Sequence, residues 1–206
     1  MILNLDELYK KYNLKIEGVI HIGAHYGQEY DAYIKNNIKY FIFFEPTKNS
    51  FNVLKQKFSN ISNIILVNKA LGNEIKEMEM YIETANRGQS SSLLKPKLHL
   101  KQFPHIQFNS KEIVSMITLD SYNPDKKYNF INIDVQGYEL EVFKGAKKTL
   151  ENIDYIMTEV NKDEVYENCA KIWEIDEYLE KYGFQRVEVN WLGGNWGDAF
   201  YIKKYK

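Results

Sequence analysis

The chain is poor in cysteine and proline, carries almost no net charge, and has no long apolar run. A single cysteine, Cys169, rules out an internal disulfide and any cluster of thiolate metal ligands. With no histidine beside it in the sequence, Cys169 also makes a poor nucleophile. The formal net charge of −1 over 206 residues argues against the basic face that nucleic acid requires. Lysines gather locally at 95, 97 and 101 and again at 144, 147 and 148, but acidic residues balance them elsewhere. No stretch approaches the roughly 18–20 apolar residues of a membrane-spanning helix. The opening MILNLDELYKKY has neither the basic end nor the apolar centre of a secretory leader, so a cytoplasmic protein is expected. Four prolines and eleven glycines are scattered, with no repeat or low-complexity linker, and a single domain spanning 1–206 is expected.

What is present is an alternation of short apolar strands with longer amphipathic helices. Strands are predicted at 18–24, 40–45, 64–68, 130–134 and 154–160, and helices at 28–36, 50–58, 138–150 and 172–182. Several strands are apolar throughout, as a parallel sheet covered on both faces requires. The pattern predicts an open α/β sheet with right-handed crossovers. Two further strands, 184–191 and 199–204, are joined by a connection too short for a helix, so they form an antiparallel hairpin. A mostly parallel Rossmann-like sheet closed by such a hairpin is the arrangement of class I S-adenosylmethionine (SAM) methyltransferases. The long segment 73–118 interrupts this order and is expected to fold over the carboxyl ends of the strands as a substrate-facing lid.

Three short stretches carry the candidate chemistry. VIHIGAHYGQE places Gly23, Ala24 and Gly27 at the exit of the first strand. Glycines there either permit a tight turn with close helix packing or admit a ligand to the main chain. Their spacing does not match the dinucleotide fingerprint. Glu45 ends the second strand about twenty residues later, where a carboxylate can accept hydrogen bonds from a ribose diol. In NIDVQGYE, Asp134, Gln136 and Glu139 crowd the fourth strand's end, with Glu159 beside them on the fifth. Asp134 and Glu139 either stabilise a helix start or face a cleft.

VIHIGAHYGQE, FFEP, NKALG, SSSLL, ITLDSY, INIDVQGYELEVFKGA, TEV and DAFYI together make the chain resemble the FkbM family of SAM-dependent methyltransferases, over roughly residues 18–202. The resemblance implies methyl transfer from SAM to a hydroxyl, typically on a sugar or other glycan component. It implies that Gly23, Ala24 and Gly27 wrap the methionine part of SAM, that Glu45 holds the ribose, and that Asn68, Lys69 and Ala70 border the adenine. His21, His25 and Asp134 complete the expected cofactor set. Asp134 is the expected base, with His25 and Glu159 behind it, and Ser91, Ser92, Gln136 and Glu139 are the expected acceptor contacts. Trp191 and Trp196 either stack on a sugar or pack in the core.

The chain departs from the family pattern twice: His21 replaces an acid and Asn132 replaces a lysine. A divalent metal on Asp134 and Glu159 is not favoured, and no other metal site is expected. Two rival readings remain at this point, a non-catalytic binding protein on the same fold and a nucleotide-linked oxidoreductase. The expected partners are a small-molecule or glycan acceptor, with no nucleic acid and no membrane span.

Overall fold

The computed structural model describes residues 2–204. A seven-stranded sheet runs through it, assembled from β1 (Gly18–Ile22), β2 (Tyr40–Phe44), β3 (Ile64–Val67), β7 (Tyr128–Ile133), β8 (Tyr155–Asn161), β9 (Phe184–Leu192) and β10 (Trp196–Lys203). Their order is β3-β2-β1-β7-β8-β10-β9. The first five are mutually parallel, whereas β10 lies antiparallel to both β8 and β9. The predicted hairpin is therefore present, and its returning strand inserts inside the sheet instead of forming its edge.

The continuous apolar strands are buried on both faces. Ile20, Ile22, Ile42, Phe44, Ile131 and Ile133 face one core, while Val19, Phe41, Phe43, Phe130 and Met157 face the other. The period of two within each strand sorts them. Helices α1 (Leu5–Tyr12), α2 (Tyr30–Lys35) and α3 (Lys48–Phe58) cover the second face through Leu5, Leu8, Tyr33, Leu54 and Phe58. Each large side chain buried in this way contributes about 1.5–3 kcal/mol. Helix α1 was not among the predicted elements. Its signals are an Asn4 N-cap accepting from Asp6 and Glu7 amides and a first turn carrying both acids.

The segment after β3 builds a second sheet, ordered β4-β6-β5, from β4 (Ala70–Leu71), β5 (Lys76–Ile82) and β6 (Ser110–Ile117). Between β5 and β6 the chain forms a loop over 84–97 and the short helix α4 (Leu98–Gln102). Met80, Val114 and Met116 join the first core, so this sheet is packed and not a detached flap. After β6, α5 (Leu119–Tyr122) leads into β7.

The predicted helix over 138–150 is broken. Helix α6 runs only Glu139–Lys144, and a 3-10 turn follows at Thr149–Asn152. Gly145 explains the break, because a Cβ there would lie 1.9 Å from the Gly72 carbonyl oxygen. The chain after β4 crosses the helix end at contact distance. Asp120 then takes the Lys148 and Thr149 amides at 3.0 and 2.9 Å, starting the 3-10 turn. Helix α7 (Ile172–Glu180) buries Ile172, Ile175 and Leu179 against the same core.

Candidate active site

The sheet order reverses between β1 and β7, and the crevice beyond a reversal is where open α/β sheets bind ligands. Gly23 leaves β1 there with φ +79°, and a Cβ on it would stand 2.0 Å from the Asp134 carbonyl oxygen. Gly27, at φ +67°, would drive a Cβ to 2.5 Å from the Phe58 ring. Both glycines are thus required by left-handed backbone and close packing. The Gly23 and Ala24 amides donate to the Phe44 carbonyl at 3.0 and 2.9 Å, and the Gly27 amide donates to Ala24 at 2.7 Å. These three amides already have partners inside the protein.

Two adjoining hollows open at this crevice. The larger, about 460 Å³, has His21, Glu29, Asp134, Glu159, His99 and Trp196 among its walls. The narrower, about 60 Å³, runs from Glu45 past Lys69 and Ala70 to Leu93 and Val135. Gly23, His25, Gln89, Asp134 and Gln136 belong to both.

Glu45 is buried at the tip of β2, where it accepts from the Thr47 amide and hydroxyl at 2.9 and 2.7 Å and from the His25 amide at 2.9 Å. Burial pushes its carboxyl above the ordinary range, and the Thr47 and His25 bonds pull the other way. His25 sits at φ +46°, accepting from Gln28 Nε2 at 2.9 Å on Nδ1 and donating from Nε2 to the Arg87 carbonyl at 2.9 Å. Its ring therefore ties the glycine turn to the inserted loop. That loop is shaped by Glu83, whose buried carboxylate takes the amides of Ala85, Asn86 and Gly88.

Gln136, at φ +54°, is the centre of a second network. Its Nε2 donates to Asp134 Oδ1 at 2.7 Å and Glu159 Oε2 at 2.8 Å, and its Oε1 accepts from the Tyr166 hydroxyl at 2.7 Å. Burial, reinforced by Asp134, Glu139 and Asp198 nearby, holds the Glu159 carboxyl well above its ordinary value.

His21 and Asn132 occupy paired positions on β1 and β7. The Tyr33 hydroxyl lies between them, donating to His21 Nδ1 at 3.2 Å and accepting from Asn132 Nδ2. Burial lowers the His21 imidazole, so this trio is neutral.

Of the expected cofactor residues, His21, Gly23, His25, Glu45, Lys69, Ala70 and Asp134 line the hollows. Ala24, Gly27 and Asn68 do not. Ala24 and Gly27 face the core side, and Asn68 Nδ2 instead pins the β2 exit through the Glu45 and Pro46 carbonyls, both at 2.9 Å. Among the expected acceptor contacts, Gln136 lines both hollows and Ser91 lines the narrow one. Ser92 is turned inward, donating to the Gln136 carbonyl at 2.7 Å. Glu139 is also turned away: its Oε1 receives the Val135 and Gly137 amides at 3.0 and 3.1 Å and shapes the β7–α6 turn. Trp196 reaches the larger hollow, whereas Trp191 packs on the core beneath Lys162. His99, Phe103, Tyr166 and Asp198 were not foreseen. For His99 and Phe103 the only sequence signal is a histidine and an aromatic within an insertion that has no periodicity of its own, whereas Tyr166 follows β8 and Asp198 lies on β10, outside it.

The sequence model of the Methyltransferase FkbM domain matches residues 21–186, which include all of the crevice-lining residues except Ile2 and Trp196. The chain belongs to the FkbM methyltransferase family. Among curated relatives of the family member described here, the 2-O-methyltransferase NoeI of Sinorhizobium fredii (strain NBRC 101917 / NGR234) is 23% identical over 173 residues, covering 80% of this chain and 71% of the relative. Solved structures show the same fold at low identity. Magnesium protoporphyrin IX methyltransferase from Synechocystis PCC 6803, with bound SAM, superposes with a TM-score of 0.54 at 10% identity, over 97% of this chain and 76% of that one. A SAM-dependent methyltransferase from Aquifex aeolicus gives 0.51 at 14% identity, over 96% and 88%. The fold is that of class I SAM methyltransferases, an α/β sheet with helices on both faces. Among the described residues no helix is long and apolar enough to cross a membrane.

Proposed function

We propose that this FkbM-family chain is a SAM-dependent O-methyltransferase acting on a hydroxyl of a sugar or glycan component. The observation that carries the reading is a buried Glu45 carboxylate on the narrow hollow, adjoining the larger hollow at a β1–β7 switch point flanked by Gly23 and Asp134. The donor set suits SAM. Glu45 stands among apolar walls from Ile22, Leu93 and Val135, where a ribose diol and purine would sit. Glu29 and Asp134 on the larger hollow are placed for the cationic methionine end. When bound, SAM supplies an electrophilic methyl group.

The narrow hollow is far below the roughly 300–1,000 Å³ of ligand pockets, so a nucleoside enters only if the wall at Gly88–Leu93 moves. The His25–Arg87 hydrogen bond is the latch on that wall, which gives the inserted segment the role of a lid. Both His25 ring nitrogens are engaged, so His25 serves as latch and not as base.

In this reading Asp134 accepts the proton of the attacking hydroxyl, and Gln136 fixes its orientation. Positioned general-base catalysis of this kind contributes roughly 10²–10⁴-fold. The relative NoeI, named as a 2-O-methyltransferase, supports an oxygen acceptor.

The test is calorimetric titration with S-adenosylhomocysteine (SAH), with NAD as control, followed by SAM turnover. Saturable SAH binding, lost in Glu45→Ala, and turnover lowered by about two orders of magnitude in Asp134→Asn are expected. Binding of NAD and not SAH would turn the reading toward an oxidoreductase. SAH binding without transfer to any hydroxyl acceptor would favour a non-catalytic binding protein.

A further inference from the structure

Tyr166 is fully buried and lines neither hollow, yet its hydroxyl reaches the centre of the site. It lies just beyond the end of β8. Its backbone pairs with Pro96 in an isolated bridge, and the Val165 carbonyl beside it takes the Lys97 and His99 amides at 3.0 and 3.1 Å. Its ring packs with Val165 and Cys169 against Leu94, Phe108 and Trp196. Backbone and ring together thus fix where the hydroxyl stands. Burial, with Glu159, Asp134 and Glu139 nearby, raises that hydroxyl well above the ordinary phenol value, so it keeps its proton and serves as a donor.

A hydroxyl has one proton to give. Two acceptors lie within its reach, Gln136 Oε1 at 2.7 Å and the Ser90 carbonyl at 3.0 Å. The first belongs to the network around Asp134 and the second to the inserted loop. The shorter bond goes to Gln136 and completes that side chain. Its amide nitrogen directs two hydrogens to Asp134 and Glu159 at 2.7 and 2.8 Å, which leaves the amide oxygen to Tyr166. Gln136 also keeps a left-handed backbone, uncommon for a residue with a Cβ, while its carbonyl takes the Ser92 hydroxyl at 2.7 Å. Without the Tyr166 hydroxyl the amide oxygen loses its donor, and the amide gains freedom to turn about its terminal bond. A half-turn faces that oxygen toward two carboxyl groups and breaks both bonds from Nε2.

We propose that Tyr166 is a positioning residue for methyl transfer, its hydroxyl holding the Gln136 amide in the orientation that seats Asp134 to accept the proton. Lining neither hollow, it acts only through Gln136. The inference rests on the methyl-transfer reading with Asp134 as base. The competing role for the same hydroxyl is to hold the loop wall through Ser90. The two roles differ in what they change. Seating the base acts on kcat, whereas the wall at Gln89 and Ser90 faces the hollows and acts on binding.

The experiment measures SAM turnover on a panel of methyl hexosides and methyl 6-deoxyhexosides by the wild type, Tyr166→Phe, Gln136→Met and the double variant, with SAH titration of each. Tyr166→Phe keeps the packed ring and removes only the hydroxyl. It is expected to lower kcat about tenfold, as loss of one hydrogen bond implies, with KM and SAH affinity within about twofold of wild type. Gln136→Met is expected to lower kcat as well, and adding Tyr166→Phe to it to lower kcat no further, because the hydroxyl has lost the group it holds. A raised KM or weakened SAH binding at unchanged kcat assigns the hydroxyl to the loop and overturns the proposal. So do losses in kcat that multiply in the double variant, or a Tyr166→Phe protein that does not fold. Each of these leaves methyl transfer by the wild type standing. A folded wild type that binds no SAH, or transfers to no member of the panel, removes the methyl-transfer reading itself and this inference with it.

Discussion

At the scale of single residues, the two departures from the family pattern account for each other. An acid at 21 and a lysine at 132 would face one another across paired strands. Here His21 and Asn132 stand there with the Tyr33 hydroxyl between them, so no buried charge is left alone. Tyr33→Phe would strand polar atoms on both sides at about 1–3 kcal/mol each. A fall in Tm of about 5–10 °C is expected, and a change below about 2 °C would show that the hydroxyl does not join the pair. Glu139 gives a second test. Burial, with Asp134 nearby, pushes its carboxyl up to about 7 from 4.5. Between those values the folded state binds more protons than the unfolded chain, so this group's contribution to stability falls as pH rises. Glu159 and Asp198 act in the same direction, whereas the lowered His21 and His99 act in the other, so the comparison must be with a variant. Glu139→Gln keeps an oxygen for the Val135 and Gly137 amides. Its Tm relative to wild type is expected to rise from pH 5 to pH 8, and a constant difference would refute the assignment.

Among the elements, legibility follows local pattern. The parallel strands and terminal hairpin were readable because each strand carries its own apolar run, and Glu45 and Asp134 were readable because they end such runs. Helix α6 was overextended because the Gly72–Gly145 contact is made across 73 residues and leaves no local trace. The inserted loop was legible only as an insertion. Its shape depends on Glu83 collecting three amides and on His25 reaching Arg87 across the crevice. Those same bonds make a prediction. Removing the carboxylate in Glu83→Ala should abolish hydrogen-exchange protection at Ala85, Asn86 and Gly88 while the amides of β1 and β7 stay protected. Equal protection in the variant would mean that packing against Tyr166 and not Glu83 holds the loop.

Across the whole molecule, the two ends of the described chain meet beneath the site. Asp198 on β10 is paired across the sheet with Glu159 and takes the amides of Ile2 and Leu3, the latter at 3.0 Å. Ile2 in turn lines the larger hollow, so a carboxylate near the C-terminal end seats residues from the start of the chain against the acceptor cavity. Burial pushes Asp198 up to about 6, and the Leu3 and Ile2 amides that it accepts pull the other way. Asp198→Ala removes both bonds and should cost on the order of 2–3 kcal/mol, a Tm loss of about 5–10 °C for a chain of this size. Asp198→Asn keeps one accepting oxygen, relieves the buried acid, and should return most of that stability. The two variants together separate the hydrogen bonds from the charge. If Asn and Ala are equally destabilised, ionised Asp198 is what fastens the chain's start to the sheet; if neither is destabilised, α1 is held by its own packing through Leu5 and Leu8 and by the Asp6–Asn36 bond without help from Asp198, and the cavity floor at Ile2 is free to move.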